Sequence, residues 1–150
     1  MNNKNTILDL MIGHHALLEV LLTVLKDNLE KGSGAIRESL DEFRWQLEKH
    51  VFVEERVIFE PCRVRGSDIC EVIKHLVEEH DTMMKMLNNM RDDMTKKDAA
   101  GITAFQELLK EHREVEERKL YPKLDIDLDK FQKEGIIKRI NEIPLKDQNE

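Results

Sequence analysis

Two histidine–glutamate pairs stand at the same spacing in this chain, His50 with Glu54 and His112 with Glu116. Residues four apart on a helix lie one turn apart on one face, so each pair presents a nitrogen and an oxygen to one inward point. The pairs sit in a longer repeat. His50 to Phe59 reads HVFVEERVIF, His112 to Tyr121 reads HREVEERKLY, and Pro61 and Pro122 follow just beyond. Each copy follows a segment with a histidine on an apolar stripe, His14 in the first case and His80 in the second. Four imidazoles and two carboxylates converging from four segments are ample for two metal ions, with the carboxylates placed to bridge them.

A lone histidine on an apolar face is more often a satisfied core residue than a ligand. Six ionisable groups in one core slice are a different matter, because each carboxylate buried without a counter-charge costs several kcal/mol. Metal cations supply that charge. Nitrogen and oxygen donors without thiolate suit iron, manganese or zinc, and affinity order alone does not select iron.

These side chains need helices to position them. Gly32-Ser33-Gly34, Pro61 to Gly66, Thr95 to Gly101 and Pro122 divide the chain into four long segments, with Asp68 and Glu71 spaced as a capping box before the third. The second segment carries Ile36, Leu40, Phe43, Leu47, His50, Glu54 and Val57 at steps of four and three, hence on one face. Met11, His14, Leu18, Leu21 and Leu25 do the same in the first, Ile69, Ile73, Leu76, His80, Met83 and Leu87 in the third, and Phe105, Leu108, His112 and Val115 in the fourth. Short connections favour antiparallel neighbours. The expected fold is all-α, an up-down-up-down four-helix bundle over residues 1–124, built as two related helix pairs.

Residues 125–150 are expected to form a helical tail on the bundle, with Leu128, Phe131, Ile137, Ile140 and Ile143 apolar and an interruption at Gly135. Trp45, Phe52 and Phe59 recur every seven residues away from the core stripe. They offer either a surface for that tail to cover or a seam for a homodimer or protein partner.

At 150 residues the chain suits one domain, and 37% charged with 5% aromatic residues suits helices with one wet face. The net charge of −7, without a basic patch interleaved with aromatics, argues against nucleic acid and for small ligands or protein partners. Cys62 and Cys70 are too far apart for a CxxC ligand pair and too few for a disulfide framework, so they read as reduced thiols. Ile7 to Leu25 is apolar, but Asp9, His14, His15 and Glu19 interrupt it and no small-residue cleavage site follows. A soluble cytoplasmic protein, with no membrane as partner, is the expectation.

The segments IGHHALLEVLL, HVFVEERVIFEP, EEHDTMMKML and HREVEERKLYP resemble the hemerythrin-like HHE family over about Ile7 to Leu124. The resemblance implies two non-haem iron ions, with His14, His50, Glu54, His80, His112 and Glu116 as ligands and Glu54 and Glu116 bridging. His14 and His15 compete for the first position, and His14 is favoured as the centre of the arc formed by Met11, Leu18, Leu21 and Leu25. His75 falls opposite its core face, while Glu55 and Glu117 fall about a quarter-turn off theirs, as supporting or surface groups. Ferritin-like bundles, the nearest rival, use ExxH rather than HxxxE.

Oxygen-carrying members of the family have two histidines one turn apart on the third helix, whereas Leu76 and Met84 flank His80 here. The implied role is therefore binding or sensing of oxygen, nitric oxide or iron and redox state rather than oxygen carriage, by a binding module more than a dedicated enzyme. The alternative is a di-iron oxidoreductase or an iron donor in iron–sulfur cluster repair.

Overall fold

The computed structural model describes residues 6–60, 67–90 and 94–143, and every regular element among them is helical. Helix α1 spans Ile7–Lys31, α2 Ile36–Phe52, α3 Ser67–Asn88, α4 Ala99–Val115, α5 Tyr121–Asp127 and α6 Lys130–Glu142. Two π-helical runs continue the second and fourth helices, Val53–Phe59 after α2 and Glu116–Leu120 after α4.

Local chemistry sets the helix ends. The Thr6 hydroxyl accepts the Asp9 backbone N–H at the start of α1, and Gly32 closes its other end at φ 65°, a left-handed conformation that a side chain would strain. Helix α3 starts at Ser67, so Asp68 lies inside its first turn rather than capping it, where its charge complements the helix dipole. Thr95 and Asp98 form a reciprocal capping box around a short 3-10 turn, and α4 then runs from Ala99 through Gly101.

The core consists of two apolar clusters. One gathers Met11, Val57, Phe59, Ile73, Leu76, Leu120 and Tyr121, the other Leu18, Leu22, Leu47, Phe43, Met83, Leu87, Phe105 and Leu109. His15 lies between Met11 and Leu18 in sequence, His50 and Glu54 between Leu47 and Val57, His80 between Leu76 and Met83, and His112 and Glu116 between Leu109 and Leu120. His15, His50, Glu54, His80, His112 and Glu116 thus form one polar layer between two apolar clusters. Each fully buried Leu or Phe contributes about 1.5–3 kcal/mol, and these flanking clusters are what offset the burial of that layer.

The buried face of α1 is Ile7, Met11, His15, Leu18, Leu22, Leu25 and Leu29. Leu22 is buried and Leu21 is only half-buried, so the face keeps Met11, Leu18 and Leu25 of the arc read in the sequence but takes His15 and Leu22 in place of His14 and Leu21. Length and composition alone would let α1 cross a membrane. Its inward face nevertheless packs in the core, and Ile12, Leu17, Val20 and Val24 remain exposed on the other side.

The tail packs on the cluster around Met11 and Phe59 through Leu128, Ile136 and Ile140. Asp125 ties it to the start of the chain, its carboxylate accepting the backbone N–H groups of Ile7 and Leu8 at 2.9 and 3.1 Å. Two expectations for the tail fail. Helix α6 passes through Gly135 unbroken, because a capping box between Asp129 and Gln132 nucleates it and a glycine in a helix costs only about 1 kcal/mol. Phe131 is 85% exposed rather than docked, one residue into the helix and on its wet side.

The Trp45, Phe52, Phe59 stripe is not one surface. Phe59 is fully buried, Trp45 is half-buried and Phe52 is exposed. A π run winds more residues into each turn than an α-helix, so the seven-residue spacing from Phe52 to Phe59 no longer returns to the same side.

Candidate metal centre

Helices α1, α2, α3 and α4, the second and fourth with their π continuations, bring His15, His50, Glu54, His80, His112 and Glu116 together, all buried. The donor atoms form two groups. His15, His50, Glu54 and Glu116 make one, and His80, His112, Glu54 and Glu116 the other, with the donor atoms of each within 4.8 Å of one another. Both carboxylates belong to both groups.

The carboxylate oxygens divide between the groups. Glu54 Oε2 lies 3.2 Å from His50 Nε2 and 3.9 Å from His15 Nε2, while its Oε1 lies 2.9 Å from His80 Nε2 and 3.7 Å from His112 Nε2. Glu116 Oε1 lies 3.0 Å from His15 Nε2, and its Oε2 lies 3.0 Å from His112 Nε2. One oxygen of each glutamate therefore faces the histidines of the first helix pair, and the other faces those of the second.

The π runs begin beside these glutamates, at Val53 and Glu116. Such insertions re-aim side chains and recur at functional sites. Here the first glutamate of each Glu-Glu pair turns inward, and the second reaches a histidine from outside. Glu55 Oε2 lies 2.7 Å from His80 Nδ1 and Glu117 Oε2 lies 2.6 Å from His15 Nδ1. Glu79 from α3 does the same for His112 Nδ1 at 2.8 Å. A carboxylate accepting from Nδ1–H leaves the Nε2 lone pair pointing at the centre, the arrangement of a metal-ligating imidazole.

Aromatic rings hold the histidines from above and below. Phe59 stacks on His80 with ring centroids 5.8 Å apart, and Tyr121, its counterpart in the repeat, stacks on His15 at 6.2 Å. The Tyr121 hydroxyl also donates to Glu54 Oε2. Burial, with Glu116 and Glu54 beside it, pushes the Tyr121 phenol well above its ordinary value.

Without a cation the layer balances its own charge. Burial by itself lowers the histidines, but Glu116 and Glu54 outweigh it and raise His15 to about 10. Against the same burial, Glu54 and Glu55 raise His80 to about 9, and Glu116, Glu54 and Glu79 raise His112 to about 12. Burial alone would raise Glu54, yet His50, His112 and His15 hold its carboxyl well below the usual range.

The residues fit a pair of metal ions. Among the described residues, the buried atoms without a hydrogen-bond partner include Nε2 of His15, His50 and His112 and both oxygens of Glu116. Buried polar groups are otherwise nearly always satisfied. These orphans share one centre, and they are nitrogen and oxygen donors suited to iron, manganese or zinc.

The ring brought to the centre from α1 is that of His15. His14, favoured on the sequence, is half-buried, its ring centroid 6.4 Å from that of His50, and it stands outside both donor groups. The buried face of α1 steps from Met11 to His15 and from Leu18 to Leu22, which leaves His14 at its edge. The other five residues singled out in the sequence are all in the layer. His75 is exposed as expected, although its Nε2 lies 3.1 Å from Glu79 Oε2. Glu79 and Tyr121 were not anticipated. The tyrosine had a signal in the repeat, where Phe59 in one copy becomes Tyr121 in the other. Cys70 on α3 lies outside both donor groups, and Cys62 falls outside the described residues.

No curated protein and no solved structure matches the chain. A family model, the hemerythrin HHE cation-binding domain, matches residues 6–124, which hold the whole polar layer. The chain is therefore a member of the hemerythrin HHE cation-binding domain family.

Proposed function

We propose that this chain is a soluble, cytoplasmic di-iron protein that binds or senses a small oxidant, oxygen or nitric oxide, or reports iron and redox state. The observation that carries it is the division of the Glu54 and Glu116 oxygens between two pairs of histidines. In this reading the four long helices run up-down-up-down, and residues 125–150 cover one end.

His15 and His50 would hold one ion and His80 and His112 the other, with Glu54 and Glu116 shared. That gives each ion four protein donors, which leaves room for an exogenous ligand. When bound, the iron pair supplies electrons and that open position. Glu55, Glu79 and Glu117 orient the imidazoles, and the two apolar clusters exclude bulk water.

Leu76, fully buried in the core, stands one turn from His80 where oxygen carriers have a further histidine, so we favour sensing over carriage. The test exposes the anaerobically reduced, iron-loaded protein to oxygen and to nitric oxide while recording optical spectra. A change that persists after the oxygen is removed and reverses on adding a reductant is expected. Spontaneous reversal on removing oxygen would restore the carrier role, and no change with either gas would refute small-oxidant binding.

Tyr121 favours a second reading, a di-iron oxidoreductase, because its buried hydroxyl donates a hydrogen bond to Glu54 at the centre. Catalytic consumption of peroxide under a reductant, lost in Tyr121→Phe, would support it.

A further inference from the structure

Three of the four buried histidines have a glutamate on the outer ring nitrogen, and His50 does not. Its Nδ1 is buried without a hydrogen-bond partner among the described residues. The internal repeat locates the difference. Aligning HVFVEER with HREVEER pairs His50 with His112 and Glu55 with Glu117, and the preceding helices pair His15 with His80. The residue before His80 is Glu79, which holds His112 Nδ1 at 2.8 Å. The residue before His15 is His14, whose ring centroid lies 6.4 Å from that of His50, the two rings tilted by 58°. An imidazole stands where the other half of the molecule has a carboxylate.

A cavity of about 70 Å³ opens at this place, with Gly13, His14, Gln46, Lys49 and His50 among the residues lining it. That is room for one small ion or a few waters. Once Nε2 of His50 is turned toward a metal, Nδ1 carries the ring proton and must donate it. The lining adds an ammonium group from Lys49 and an amide from Gln46, and among the described residues it contains no carboxylate. The site offers donors in excess, and what it lacks is an acceptor with negative charge.

We propose that this cavity binds a small monoanion, with formate as the minimal case, which accepts a hydrogen bond from the His50 Nδ1–H, pairs with Lys49, and replaces the carboxylate that Glu79 gives to His112. The proposal rests on His50 being a metal ligand. An anion there would adjust one ion's imidazole from outside the centre, so the solution around the protein would tune one half of the metal pair and not the other.

The test titrates sodium formate, at constant ionic strength, into the full chain loaded with zinc, which keeps histidine ring signals sharp. The readouts are the His50 Nδ1–H resonance and the rate of zinc loss to a chelator. Formate is expected to move the His50 resonance saturably and to slow zinc loss by up to about tenfold, the lower end of what an outer-shell partner is worth. In Lys49→Met the titration midpoint should rise about tenfold or more, losing a charge-assisted contact. In His14→Glu, which tethers a carboxylate as Glu79 is tethered, zinc loss should be slow without formate and formate should add nothing. Zinc held with a His50 resonance indifferent to formate overturns the anion site alone. An equal response in wild type and His14→Glu places formate at the metals and also overturns it. A chain that takes up no zinc overturns the metal centre and the anion site together.

Discussion

The Glu117 carboxylate lies 2.6 Å from Nδ1 of His15, joining the last turns of the second helix pair to the first helix of the chain. Glu55 reaches His80 in the same way in the other half, at 2.7 Å. Each glutamate directly follows one whose oxygens are shared across the centre. A Glu-Glu step on a π run therefore does two tasks, one residue facing in and the next steering a histidine of the opposite pair.

Replacing these outer carboxylates should weaken metal binding without removing a ligand. Glu117→Gln and Glu55→Gln are each expected to lower affinity about 10–100-fold, the usual loss for a partner of a ligating histidine. Competition with a chelator of known affinity measures it. Affinities equal to wild type would show that the Nδ1 contacts do not orient the imidazoles.

The buried face of α1 takes His15 and leaves His14 at its edge. His15→Ala should reduce metal content toward one ion per chain, while His14→Ala should keep both ions. Metal analysis after loading and desalting distinguishes them, and the opposite pattern would return the ligand role to His14.

Proton linkage gives a signed expectation. In the metal-free protein His15, His80 and His112 sit at about 10, 9 and 12, above the ordinary 6.5 of an unfolded chain. Their contribution to stability is fully present below pH 6.5 and is lost as pH rises through about 9 to 12. Glu54, held low, contributes above its ordinary value and loses that contribution as pH falls through its folded value. The metal-free protein should therefore melt lower at pH 10 than at pH 6. Metal must displace the same protons, so loading near pH 7.5 should release about three protons, measurable with an indicator dye in weak buffer. Release of none would mean that these histidines are already neutral.

Tyr121→Phe removes the hydroxyl on Glu54 and keeps the ring on His15. A loss of about 1.5–3 kcal/mol in stability is expected, since the hydrogen bond that goes is made to an ionised carboxylate and little volume changes. Denaturant unfolding measures it. An unchanged midpoint together with unchanged metal affinity would show that Glu54 does not depend on the phenol.

Much of this site was legible in the sequence because ligand spacing and core periodicity coincide. His50 and Glu54 shared a stripe with Leu47, and His80 fell between Leu76 and Met83 on another. The fourth stripe was read through Leu108 and Val115, which are only half-buried, whereas Leu109 is the buried residue beside His112 and Glu116. Helix α1 was ambiguous because it is apolar nearly all round: with Leu21 and Leu22 both available, the arc did not fix its phase, and the choice between His14 and His15 turned on that phase. The π runs were not legible either. Their extra residue per turn carries Phe59 inward and sets Glu55 and Glu117 on the histidines, and no breaker residue lies within them, Pro61 and Pro122 coming only after each run. Glu79 was hidden for another reason, since its role depends on how α3 and α4 pack, which spacing along one helix does not encode.

Sharing of Glu54 and Glu116 between two ions shows itself in a metal titration. Ferrous iron added anaerobically to the metal-free chain should saturate at two ions per chain, and Glu54→Ala or Glu116→Ala should lower the affinity of both ions rather than of one. Saturation at one ion or fewer, or the loss of a single ion in either variant with the other held as tightly as before, would contradict the shared centre.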